Sequence, residues 1–280
     1  MSPASADSPD GPAGDREAAV QREVARIALS GARGFALAGS GAIREHGLIE
    51  RPTEDVDLFT TSQDVAAFGA AVEQVRGRLR RSGFGVGLTR RAPQFARLHV
   101  TTTDGLQLDV DLGVDWRQDA PVFLEVGPVL SLTDAVGNKV SALYGRGEAR
   151  DYLDVDAIRT SGRFNDDELL AAAAERDPGF DAGMFADQLA AASRLQLAQV
   201  ARYGVTADEL EAVKTRCTQW AAAIREQAAS GPRDAERAMP EHLRASFPRA
   251  VTDAARQPPS SSPETRPTTY TSTPERGVGL

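Results

Sequence analysis

Two stretches of this chain alternate acids with apolar residues, and that alternation dictates how each must lie. In Asp55-Val56-Asp57-Leu58-Phe59, and again in Leu106-Gln107-Leu108-Asp109-Val110-Asp111-Leu112, acidic and apolar side chains take turns. Successive side chains on a strand project to opposite faces. Both segments therefore read as strands with an apolar back and an acidic front. Asp55 and Asp57 share the front of the first; Gln107, Asp109 and Asp111 share the front of the second. A solvated face of an antiparallel sheet would carry the same pattern. If the two strands are neighbours, however, three or four carboxylates converge, and like charges at close range call for a cation between them.

A small-residue turn, Gly39-Ser40, precedes the first acid pair and leads into a short helix expected over Gly41–Gly47. Glycine lets backbone N–H groups approach phosphate oxygens with no Cβ in the way. Mg²⁺ takes carboxylate oxygens together with substrate phosphates. A Gly-Ser turn followed by paired acids is therefore the layout of a nucleotidyltransferase with a two-metal site. Such chemistry rests on positioning and charge stabilisation. Ser40 is then a phosphate ligand and need not be a nucleophile. A Ser-His-Asp arrangement lacks a histidine, since His46, His99 and His242 are scattered. Lys139 is a flexible point charge suited to a triphosphate. Asp151 and Asp154, three apart on a helix, share a face and could orient Lys139 or the substrate. The alternative for the last motif is a surface pair between Arg150 and Asp154.

The formal charge of −8 excludes coating of nucleic acid by bulk electrostatics, though not contact through a local patch. Arg76, Arg78, Arg80 and Arg81, followed by Arg90, Arg91 and Arg97, could form such a patch or could complement a helix C-terminus. The single cysteine, Cys217, excludes an internal disulfide and reads as a small buried apolar residue. No apolar run is long enough for a membrane span, and no secretory signal opens the chain. A cytoplasmic protein is expected.

Four segments are expected: a disordered leader over 1–14, an α/β core over 15–130, a helical domain over 131–250 and a disordered tail over 251–280. Helices are expected over Asp15–Ser30 and from a Ser62 cap to Arg81. Strands are expected over Gly34–Ala38, Asp55–Thr60 and Phe84–Thr89. A hairpin, Ala96–Thr103 with Leu106–Gly113, turns at Asp104-Gly105, and Pro121–Val126 is an edge-strand candidate. Beyond it, helices open at Ser131, Glu148, Asp166, Asp181 and Thr206, the last with a capping box.

Three motifs taken together resemble the AbiEii/AbiGii nucleotidyltransferase toxin family. Gly39-Ser40 with Arg51-Pro52-Thr53-Glu54-Asp55-Val56-Asp57 is similar to its Gly-Ser and Arg-x-Ser/Thr-x-Asp-x-Asp motifs. Val110-Asp111-Leu112 is similar to its third-acid segment, and Lys139 with Arg150-Asp151-x-x-Asp154 to its last two motifs. The resemblance covers about Phe35–Ile158. It implies an α/β (α+β) fold with a polymerase-β-like core on a mixed sheet, followed by a helical C-terminal domain. It implies Mg²⁺-dependent transfer of a nucleotide from an NTP to RNA, with the tRNA 3′ end the leading acceptor. It further implies a toxin of a toxin–antitoxin or phage-defence pair, with a cognate antitoxin as partner. By position it assigns Asp55, Asp57 and Asp111 to metal, with Asp109 the alternative third acid. It assigns Gly39, Ser40, Arg51, Lys139, Arg150 and Asp151 to the nucleotide, and makes Asp154 an essential acid. Thr53 falls where some relatives carry a hydroxyl that their antitoxin modifies; otherwise it is a turn residue after Pro52. Two other readings remain: the same chemistry on a small acceptor such as an aminoglycoside, or a non-catalytic binding module.

Overall fold

The computed structural model describes residues 12–238, with side chains from 14 to 230; most of the expected leader and all of the expected tail lie outside them. The fold is that of the unit ending at Ser230. Its strands are β1 (Ala36–Leu37), β2 (Asp55–Thr60), β3 (Gly85–Ala92), β4 (Phe95–Thr101), β5 (Gln107–Val114), β6 (Val122–Leu124) and β7 (Gly127–Val129). They form one mixed sheet in the order β3-β4-β5-β2-β1-β7-β6. The hairpin is in place, but its loop is three residues long. Thr102 pairs with Leu106 through its backbone N–H, and Gly105 turns at φ 91°. The expected edge strand at Pro121–Val126 is β6, and β7 follows it directly, a second strand that was not expected.

The apolar back of the sheet drives assembly. Val56, Leu58, Leu108, Val110 and Leu112 are buried there, together contributing roughly 7–15 kcal/mol at about 1.5–3 kcal/mol each. Helices α1 (Pro12–Leu29) and α3 (Val65–Arg81) pack on each other, α1 on β2 and α3 on β3. In α3, Phe68, Val72, Val75 and Leu79 recur at helical spacing and form its buried stripe. Its cap is Asp64, not Ser62: the Asp64 carboxylate accepts from the Ala66 and Ala67 N–H groups. Acids are better placed than hydroxyls at this end of the helix dipole.

Helix α2 (Gly39–Glu45) packs against β2 and against α4 (Leu132–Gly145). From α4 onward the described chain is helical: α5 (Ala149–Thr160), α6 (Asp166–Arg176), α7 (Ala182–Ala190), α8 (Leu197–Val200) and α9 (Ala207–Ala238), with short 3₁₀ turns between. Ser131 caps α4 and Thr206 with Glu209 forms the expected box on α9. Helix α5 has no single apolar face. Seven of its twelve residues are buried, including Asp151, Asp154 and Asp156, and each acid has a cationic partner. No helix among the described residues is long and apolar enough to cross a membrane. Cys217 is buried, which pushes its thiol up to about 12.

Candidate active site

β2 and β5 are parallel neighbours in register, Asp55 opposite Asp109 and Asp57 opposite Asp111. This pairing converts two separate sequence patterns into one patch. Asp55, Asp57 and Asp111 each place a carboxylate oxygen within 4.8 Å of the others. Asp109 is not in the cluster; its carboxylate turns to His99 Nδ1 at 2.9 Å, with Arg97 3.6 Å away.

The cluster lies in a cavity of about 300 Å³, lined also by Gly39, Ser40, Lys139, Arg146 and Arg150. Burial, then the neighbouring charges of Asp55 and Asp111, push the Asp57 carboxyl up to about 7. That shift corresponds to at most about 4 kcal/mol, less what solvent screening removes at a partly exposed group. The apolar back of the sheet outweighs it, so the fold tolerates a patch that its own charges disfavour. Three oxygen donors, with Asp55 and Asp57 in no ion pair among the described residues, fit a hard divalent cation.

Gly39 is needed in two ways. Its φ of 57° is left-handed, and a Cβ there would overlap the Asp57 carboxylate. The helix it opens has no side-chain cap, so its first amides lack a partner within the helix.

Behind the cavity wall sits a buried charge network. Asp154 is 0% exposed and takes the Arg51 guanidinium on both oxygens, at 2.6 and 2.7 Å. Lys139 Nζ lies 2.7 Å from Asp154 Oδ2 and 2.7 Å from Ser40 Oγ. Arg51 also donates to Ser40 and stacks on Tyr203. Burial works against the Asp154 charge, but Lys139 and Arg51 overcome it and hold the carboxyl below its ordinary range. The surface pair between Arg150 and Asp154 is therefore absent. Arg150 reaches Glu54 and Glu148 instead.

Of the residues expected at the nucleotide, Gly39, Ser40, Lys139 and Arg150 face the cavity. Arg51 and Asp151 do not: Arg51 is spent on Asp154, and Asp151 is gripped by Arg146 and caps α5 at Glu148. Thr53 is a buried anchor, its hydroxyl and carbonyl bonded to Gln21 and its hydroxyl also to Arg44. Among the described residues Ser40 contacts no histidine: His46 bonds the Leu130 carbonyl and His99 bonds Asp109; His242 lies outside them.

Two cations were not singled out as site residues from sequence. Arg97 grips both oxygens of Asp111 at 2.6 Å, and that bond raises its own pKa. Arg146 lines the cavity, and its bond to Asp151 does the same. The position of Arg97 follows from the hairpin register, which sets it opposite Asp111; Arg146 carries no comparable signal. Three of the four α3 arginines are used internally: Arg76 on Glu73, Arg78 on the Ala28 carbonyl, Arg80 on the Val86 carbonyl; Arg81 is exposed.

Parallel acid-bearing strands beside a Gly-Ser turn, in a mixed sheet carrying a helical C-terminal part, define a nucleotidyltransferase. The model of the family described as nucleotidyl transferase AbiEii toxin, type IV toxin–antitoxin system, matches residues 25–252, and the chain belongs to that family. Membership brings an NTP and a divalent cation as expected ligands and a cognate antitoxin as expected partner. Among solved structures, the nucleotidyltransferase toxin MenT4 of Mycobacterium tuberculosis aligns with TM-score 0.52 and 16% identity, over 74% of this chain and 84% of that one. A nucleotidyltransferase structure from Helicobacter pylori aligns with TM-score 0.49 and 16% identity, over 76% and 96%. No curated protein sequence matches the chain.

Proposed function

We propose that this toxin transfers a nucleotide from an NTP to an RNA acceptor, with the tRNA 3′ end as target and Mg²⁺ as the cation. The observation that carries the reading is the in-register pairing of β2 with β5, which gathers Asp55, Asp57 and Asp111 beside Gly39-Ser40. Asp55, Asp57 and Asp111 would hold the Mg²⁺, which when bound would supply a lowered pKa for the attacking hydroxyl and charge neutralisation for the leaving pyrophosphate. The chain's own residues do the positioning. Lys139, Arg146 and Arg150 put cationic charge on the cavity wall facing the acids, where a triphosphate would lie. Asp154 acts at one remove, fixing the Lys139 ammonium beside Ser40. Gly39 keeps the floor open to phosphate. The protein would act in the cytoplasm, restrained by its antitoxin, in a toxin–antitoxin or phage-defence pair.

The test is transfer of label from an α-labelled NTP in Mg²⁺. Labelled tRNA with the intact protein, absent with Asp57→Ala, supports the reading. Label on an aminoglycoside and never on RNA would move the acceptor to a small molecule. Full toxicity of Asp57→Ala in cells would mean that the chemistry is not how the protein acts.

A further inference from the structure

The catalytic face continues past Asp111. Cross-strand register lays one row of residues from β2 to β3 as Asp57, Asp111, Arg97 and Arg90. The next row runs Phe59, Gly113, Phe95 and Ala92. Gly113 has no side chain, and a Cβ built there would come 3.2 Å from the Phe59 ring. Phe59 lines the catalytic cavity and also, with Phe95, an open depression of about 570 Å³ beside it. Exposed Arg90 lays its guanidinium over the Phe95 ring, 5.2 Å from the centroid. The acid in the depression's lining, Asp115, is held by Arg176 at 2.6 Å.

Aromatic cover over a strand glycine is a common packing device. It accounts for Phe59 against Gly113. It does not account for a cation laid on a half-buried phenylalanine of this face, or for a depression that shares Phe59 with the cavity of the acidic cluster. We propose that this shelf binds the acceptor. The terminal bases of a single-stranded RNA stack on Phe59 and Phe95, and the backbone passes over Arg90 and Arg97. Stacking on aromatic rings tolerates any base, and arginine adds cation–π attraction. A chain of charge −8 needs such a local device, because bulk attraction is missing. The inference rests on the RNA-acceptor reading and specifies where the acceptor lies.

The experiment uses the full chain and a fluorescein-labelled single-stranded RNA octamer, with anisotropy as readout. Phe95→Leu keeps an apolar side chain on the same sheet face, and Arg90→Gln changes an exposed one. Thermal melting with NTP and Mg²⁺ checks that each variant folds and still binds nucleotide. The shelf predicts that each variant loses about fivefold or more in octamer affinity, with the salt slope falling by about one for Arg90→Gln. Octamer affinity equal to wild type in both variants overturns it. So does a wild type that binds no RNA while the same substitutions break its antitoxin complex, which would make the shelf a protein-docking surface. Octamer binding that depends on the shelf, in a protein that transfers no nucleotide, supports the shelf and overturns the enzymatic reading instead.

Discussion

Asp57 keeps its proton until about pH 7 because burial and two neighbouring carboxylates disfavour its charge. Removing it leaves Asp55 and Asp111 as a broken ligand pair, and Asp57→Asn should lower nucleotide transfer by about 10²–10³-fold or more while leaving the melting temperature equal or higher. Gly39→Ala should be as inactive, for a different reason: its new methyl group displaces the Asp57 carboxylate and forces a left-handed backbone on an L residue. Circular dichroism separates that loss from unfolding. Asp154 carries the opposite electrostatics. Asp154→Asn strands the buried Lys139 and Arg51 charges and should cost about 3–5 kcal/mol near pH 7 in denaturant melts. Because the Asp154 pKa is depressed in the fold, its contribution is present above the ordinary carboxylate range and is lost as pH falls through its folded value. The gap between wild type and Asp154→Asn should therefore narrow on acidification.

At the scale of elements, the hairpin decides which arginine meets which acid. Its three-residue loop pairs Arg97 with Asp111; a two-residue loop would have paired Arg97 with Leu112. Gly105 at φ 91° sustains that loop, and Gly105→Ala should cost about 1–2 kcal/mol in a chemical melt. The elements themselves were legible wherever one local force acts alone: the acid–apolar alternation of β2 and β5, the stripe of α3, the caps at Ser131 and Thr206. Two kinds of feature were not. The β2–β5 neighbourhood spans about fifty residues of chain, so sequence could state it only as a condition. Helix α5 was expected from its Glu148 start, but its burial was not legible: it shows no amphipathic period, because its buried acids are matched by cations from the β2 approach, α4 and α9, namely Arg51, Lys139 and Arg216. Periodicity cannot reveal that a helix whose acids are met by ion pairs is buried. Asp154 was expected as an essential acid, with a surface pair to Arg150 as the alternative; its burial against Arg51 and Lys139 is what the residues alone could not show.

For the whole molecule, the acidic cluster couples stability to pH and to metal. An acid whose pKa rises from 3.8 to about 7 on folding binds more protons in the folded state between those values. Its contribution is complete below the lower value and lost as pH rises through the upper one. A divalent cation competes with that proton and offsets the repulsion that follows its loss. Stabilisation by Mg²⁺ should thus be small at pH 5 and grow toward pH 8, and Asp57→Asn should flatten the trend; thermal shift assays at several pH values read this directly. The claim on which the account rests is that three carboxylates from two parallel strands meet at one ion. A crystal of the protein soaked in Mn²⁺, measured at the manganese absorption edge, tests it most directly. The account predicts an anomalous peak bonded to Asp55, Asp57 and Asp111. A peak elsewhere, or Asp57 and Asp111 on opposite faces of the sheet, would contradict it.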